Sequence, residues 1–163
     1  MSRLTNSTCV TCKDAHGSIV EILAVHVYQA VNEHVHCQCY YVPMRTLAVG
    51  HATSAGYNGA DAYLIYKGTL PEGYVLKEDA YAAGWKQKGG HKHLSRVLPG
   101  KMIGGDPYIN KDGKLPSAPG RQWCEADIDY TGGKRNDMRI LYSNDGLVFV
   151  TYDHYHTFYE VTR

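Results

Sequence analysis

Two textures follow each other along the second two-thirds of the chain. Up to about residue 100 the apolar positions recur at helical spacing: Ala60 to Lys67 closing on Gly68, Lys77 to Lys86 after Leu70-Pro71-Glu72-Gly73, and His93 to Leu98 stopped by Pro99-Gly100. From Arg121 onward the pattern becomes short β-prone runs between turns: Trp123 to Tyr130, Met138 to Ser143, Leu147 to Tyr152 and Tyr155 to Thr162, separated by Thr131-Gly132-Gly133-Lys134 and Asn144-Asp145-Gly146. Helices first and strands afterwards predict an α+β fold, with short N-terminal helices packed on one face of a C-terminal antiparallel meander. Upstream, Ile19 to Val31 places Ile19, Leu23, Val27, Ala30 and Val31 on one helical face but is rich in β-branched residues, so helix and strand both stay open. Small and turn-forming residues gather over Gly50 to Gly59. They divide residues 1–54, an extension that reads as a small Cys-rich module or a linker, from a main domain over residues 55–163.

On the run Gln122 to Tyr130, a two-residue period sends Cys124, Ala126, Ile128 and Tyr130 to one side of the strand and Trp123, Glu125, Asp127 and Asp129 to the other. Three carboxylates on one surface raise one another's pKa, so either cations sit opposite or one carboxylate is poised to take a proton. Lys134, Arg135 and Arg139, following the Gly-Gly turn, are the nearest cations in sequence. A surface ladder of ion pairs is the plain alternative. Cys124, on the opposite side from Glu125, reads as a small buried residue.

Composition narrows these readings. A formal net charge of +1 argues against holding nucleic acid by bulk electrostatics, so any such contact is local. The 14 Tyr against 2 Phe favour aromatic rings with a polar handle, suited to a wet binding face. Polar breaks at Glu21, His26 and Gln29 leave the most apolar run without the features of a membrane span or an export signal. Four of the five cysteines lie in the first forty residues. Cys9, Cys12, Cys37 and Cys39, with His16, His34 and His36 nearby, leave three states open: a zinc site, disulfides, or free thiols. His91, His93 and His156 read as solvated loop or edge residues.

Several multi-residue stretches agree in order and spacing with one known family. They are Leu70-Pro71-Glu72-Gly73-Tyr74, Ala83-Gly84-Trp85, Pro99 to Asp106, Gly113-Lys114-Leu115-Pro116, Glu125 to Tyr130, Arg139 to Ser143, and Asp153-His154-Tyr155. Over Gly59 to Val161 the chain resembles the barnase family of bacterial guanyl-preferring ribonucleases, with a small insertion in Lys86 to Leu94. The resemblance implies the microbial ribonuclease fold and a cofactor-free endoribonuclease that cuts single-stranded RNA after guanosine, by way of a 2′,3′-cyclic phosphate. It assigns Glu125 as general base, His154 as general acid, and Arg135, Arg139 and Lys77 to the phosphate. It places guanine on Tyr108, Ile109, Asn110, Lys111 and Asp112, with Tyr155 packing on the base, and gives Asp106 and Asp127 supporting roles, Asp127 as the counter-ion of Arg135. Asp127 and Asp129 are then expected to raise the pKa of Glu125.

The chain departs from the family at several of these places. Lys111 and Asp112 stand where the family has Arg and Glu, so the guanine-binding carboxylate is one methylene shorter. Lys134 replaces an aromatic residue and Gly68 a histidine. Leu76 replaces the threonine that caps the second helix, a loss of about 0.5–2 kcal/mol unless Glu78 or Asp79 compensates. The resemblance further implies a monomer, secreted or carried as the toxin module of a larger exported protein, and held in check by an acidic barstar-like inhibitor. The alternative is a catalytically weak module of the same fold that only binds RNA or an inhibitor.

Overall fold

A computed structural model describes residues 2–3, 40–41, 45–87 and 93–163. The chain divides into two compact units, Met1–Met44 with Asn110–Arg121, and Arg45–Ile109 with Gln122–Arg163. In the first, β1 (Ser2–Arg3) pairs antiparallel with β2 (Tyr40–Tyr41). The Ile19 to Val31 run and the N-terminal cysteines and histidines lie outside the described residues.

In the second unit, the helix α1 (Ala60–Lys67) has Asp61 in its first turn and Lys67 in its last, matching the helix dipole. It closes on Gly68 at φ 71°, whose N–H bonds the Leu64 carbonyl. α2 (Lys77–Ala82) is shorter than the sequence suggests. Gly84, at φ 96°, ends it: the Trp85 N–H reaches back to the Ala80 carbonyl and the Gly84 N–H to Tyr81. That double closure turns Trp85 into the interior. α3 (Leu94–Val97) is a single turn.

The sheet is mixed, a correction to the expected antiparallel meander. It has seven strands in the order β3-β9-β8-β7-β6-β5-β4. The meander is present as β6 (Trp123–Asp127), β7 (Arg139–Ser143), β8 (Val148–Thr151) and β9 (Tyr159–Thr162), all antiparallel. On its flanks, β3 (Arg45–Ala48) adds parallel to β9, and β4 (Tyr74–Val75) adds parallel to β5 (Met102–Tyr108). β3 lies within the stretch set apart by sequence as an extension, and it carries the compact unit upstream to Arg45. β5 escapes a period-two reading because two glycines and a proline interrupt it, and its register with β6 shifts between Gly104 and Asp106. A Cβ at Gly104 would lie 2.5 Å from both the Ala126 Cβ and the Tyr74 ring, so only glycine fits there.

One face of the sheet buries Ala126, Ile128, Ile140, Val148, Val150 and Val161 against Ala60, Ala62 and Leu64 of α1. A second core joins Ala80, Trp85, Leu94 and Ile103. Period two therefore turns Glu125, Asp127, Arg139 and Thr151 onto the opposite face, and that face carries the candidate chemistry.

Candidate active site

Glu125, in the middle of β6, is only 9% exposed yet makes two short contacts. The ammonium Nζ of Lys77, from the first turn of α2, donates to Oε1 at 2.6 Å, and the Tyr155 hydroxyl donates to Oε2 at 2.6 Å. Burial pushes the carboxyl pKa up, but the hydrogen bonds from Lys77 and Tyr155, with the charges of Lys77 and Arg139, outweigh it. The net shift is downward. This corrects the expectation that Asp127 and Asp129 raise it: cations face the carboxylates. The tyrosine feels the reverse effect, its pKa raised by burial and by the bond to Glu125.

Asp127, two residues along the same face and almost fully buried, is held by both arginines. Arg135 grips it in a bidentate pair, Nε to Oδ2 at 2.7 Å and Nη2 to Oδ1 at 2.6 Å. Arg139, 4% exposed, donates through Nη1 to the carbonyls of Asn136 and Met138, both at 2.7 Å. Its Nε lies 3.0 Å from Asp127 Oδ1, close enough for an ion pair but out of line, so this buried N–H has no aligned acceptor. Asp129 leaves the row. The strand ends at Asp127, Asp129 takes φ 53°, and its carboxylate accepts from the Ser54 N–H at 2.8 Å and hydroxyl at 2.6 Å.

His154 and Tyr155 sit on the loop between β8 and β9, which replaces the first part of the strand expected over Tyr155 to Thr162. Both have left-handed backbones, φ 53° and 72°, a costly conformation for such residues. Asp153 organises that turn: its Oδ1 accepts from the Thr151 hydroxyl and from the N–H groups of His156 and Thr157 at 2.9, 3.1 and 2.8 Å. Burial opposes the charged form slightly, yet these donors hold the Asp153 pKa at about 2. The Thr151 hydroxyl in turn accepts the Tyr155 N–H at 3.0 Å, and the backbone carbonyl of Asp137 accepts the His154 N–H at 3.1 Å. The exposed His154 ring packs on the Tyr155 ring at 4.7 Å between centroids, and Tyr155 stacks on Tyr108 at 5.4 Å. Tyr155 thus links His154, Glu125 and Tyr108. Sequence reasoning missed Thr151 and the turn-forming role of Asp153, although Asp followed by two residues with an N–H to offer is the usual signal for such a turn.

Asp106 accepts the Lys77 N–H at 3.2 and 3.3 Å, so β5 supplies the helix cap that Leu76 lacks. Neither Glu78 nor Asp79 does so through a side-chain cap bond. Tyr108 ends β5 and Ile109 follows it, 81% exposed. Asn110, Lys111 and Asp112 belong to the other unit, where the Asn110 side chain bridges both the N–H and the carbonyl of Leu115. There Lys111 and Asp112 are exposed on a turn closed by the Gly113 N–H onto Asn110.

Cys124 is a free thiol beside Tyr142 on the other face of β6, its pKa raised by burial. His156 is exposed, with Nδ1 2.7 Å from its neighbour carbonyl at Asp153, and His93 is half-buried. His91, Cys9, Cys12, Cys37 and Cys39 lie outside the described residues. Among the described residues, no group of three or more His, Cys, Asp or Glu side chains could hold a metal ion, and no helix is long and apolar enough to cross a membrane.

A family profile described as ribonuclease matches residues 58–162. A ribonuclease of Heyndrickxia coagulans is 49% identical over 102 residues, which cover 63% of this chain and 92% of that protein. Ribonucleases of Bacillus intermedius and Bacillus pumilus show the same 49% identity over 102 residues, here spanning 62% of each relative's length.

Proposed function

The chain belongs to the ribonuclease family, and on that premise we propose that this endoribonuclease cuts single-stranded RNA 3′ of guanosine through a 2′,3′-cyclic phosphate. The observation that carries the reading is a buried carboxylate, Glu125, kept charged between Lys77 and Tyr155, with the His154 ring packed on the same tyrosine. Glu125 takes the proton of the ribose 2′-OH, the 2′-oxygen attacks phosphorus, and the 5′-oxygen departs with a proton from the His154 imidazolium. In the second half His154 takes a proton from water, whose oxygen opens the cyclic ester, and Glu125 returns its proton to the 2′-oxygen. Arg135, Arg139 and Lys77 bear on the phosphorane charge. No step calls on a metal, and DNA, without the attacking hydroxyl, is not cut.

Guanine recognition falls to the backbone of Tyr108 to Asp112 and the Asp112 carboxylate, with Tyr155 beneath the base. The shorter Asp112 side chain relaxes the preference. An acidic inhibitor closes over Arg135, Arg139 and His154 in a monomeric enzyme that acts outside the producing cell, either secreted or as a toxin module; recovery of activity from culture medium tests the location.

The experiment for the reaction is product analysis on an RNA oligonucleotide with one internal guanosine. The reading predicts a 5′ fragment ending in guanosine 2′,3′-cyclic phosphate and no cutting when that residue is 2′-deoxyguanosine. Fragments with 5′-phosphate and 3′-hydroxyl ends, or cutting indifferent to the deoxy substitution, contradict it.

A further inference from the structure

Among the described residues, five large apolar or aromatic side chains stand out in water: Tyr57, Tyr66, Tyr81, Ile109 and Tyr152. Tyr81 is the one placed on the element that delivers Lys77 to Glu125. The two lie four residues apart on α2, hence one above the other on the same helix face. Glu78, three residues before Tyr81, shares its side of the helix, whereas Asp79 lies two residues away and points elsewhere. The Tyr81 ring stacks on Trp85 at 5.1 Å and 14°, and the Arg135 guanidinium lies 5.9 Å from the Trp85 ring centre. Trp85 is 1% exposed while Tyr81 is 46% exposed, so one face of the tyrosine covers the tryptophan and the other meets solvent. The exposed tyrosine thus stands one helical turn from Lys77 and is joined to Arg135 through the Trp85 ring that both approach.

We propose that the outer face of Tyr81 is a stacking platform for an unpaired base of the RNA strand, beyond the two nucleotides that flank the cut. The inference rests on the ribonuclease reading and extends its substrate contacts. Every base offers a π-face, so the platform takes any base and adds affinity without sequence preference, while Lys77 and Arg135 draw the adjoining phosphates. Tyr81 is a binding residue for long substrates and takes no part in proton transfer.

The test compares two uncleavable ligands, a 2′-deoxy dinucleotide dGpdU and a 2′-deoxy hexanucleotide with one internal guanine, at fixed low salt. Y81A is expected to weaken hexanucleotide binding by about 5- to 150-fold, the range that alanine replacement of a stacking aromatic gives, with a much smaller change for the dinucleotide. Y81L, which still covers Trp85 but lacks a π-face, behaves like Y81A at a melting temperature close to that of the parent, and Y81F and Y81W keep the parent's affinity. Equal losses for both lengths, or hexanucleotide binding by Y81A and Y81L equal to the parent's, would overturn the platform. Failure of the ribonuclease reading shows separately, as an unprocessed all-ribose hexanucleotide with the parent enzyme, and leaves the binding series to decide the platform.

Discussion

Glu125 is a carboxylate with little water around it that nevertheless stays charged, because both of its oxygens are occupied by donors. Lys77 supplies a hydrogen bond and a full positive charge; Tyr155 supplies only a hydrogen bond. Removing Lys77 therefore leaves burial less opposed, and the pKa must rise. The free-enzyme acid limb of kcat/KM for Lys77→Ala is expected at higher pH than in the parent, with the neutral-pH rate also reduced. An acid limb that stays in place or moves down would show that Lys77 does not tune this carboxylate. The linkage has the matching sign: a depressed Glu125 pKa contributes stability that is full above the ordinary carboxylate range and is lost as pH falls through the folded value. The row of acidic residues was legible from the period of β6, and the pairing of Asp127 with Arg135 was implied by the family resemblance. The direction of the Glu125 shift was not, since its partners lie 48 and 30 residues away and a positive φ at Asp129 removes the third charge from the row.

At the scale of elements, α1 is tied to the chain before it by one side chain. Asp61, with no exposed surface, accepts from the N–H groups of Gly50 and Ala52 and from the Thr53 hydroxyl at 2.8, 3.2 and 3.0 Å. Truncating it strands the buried Ala52 N–H and two half-buried donors, the first at about 1–3 kcal/mol. Asp61→Ala is expected to lose roughly 2–4 kcal/mol in urea unfolding with an unchanged m-value, and a loss below about 0.5 kcal/mol would contradict this anchoring role. The helices and the meander were legible because each declares itself locally, by Gly68 and Pro99-Gly100 at helix ends and by alternating apolar runs, whereas the stop at Gly84 inside the expected Lys77 to Lys86 helix was passed over. β3, β4 and β5 were not. Two of them are four residues or fewer, their parallel partners are remote in sequence, and Gly104, Gly105 and Pro107 erase the alternation of the third. The capping of α2 by Asp106 hid for the same reason, as a bond between elements 29 residues apart.

For the whole molecule, a net charge of +1 coexists with Lys77, Arg135 and Arg139 on one face of the sheet, so the cationic field is local. An acidic inhibitor drawn to that face associates more slowly as salt rises. Arg135→Ala is expected to weaken such a complex at least about tenfold, in keeping with loss of one close charge pair, whereas unaltered affinity and a flat salt dependence would exclude this face as the docking surface. Under the proposed reaction Glu125 and His154 act on opposite ends of one ribose-phosphate linkage, and a change of leaving group separates their two roles. Guanosine 3′-(4-nitrophenyl phosphate) releases a weakly basic oxygen that needs no proton, whereas GpU does not. His154→Ala is expected to lose about 10²–10⁴-fold on GpU but to stay within about tenfold of the parent on the nitrophenyl ester, while Glu125→Ala is impaired on both. Equal losses by His154→Ala on the two substrates, or full activity of Glu125→Ala on either, would contradict it.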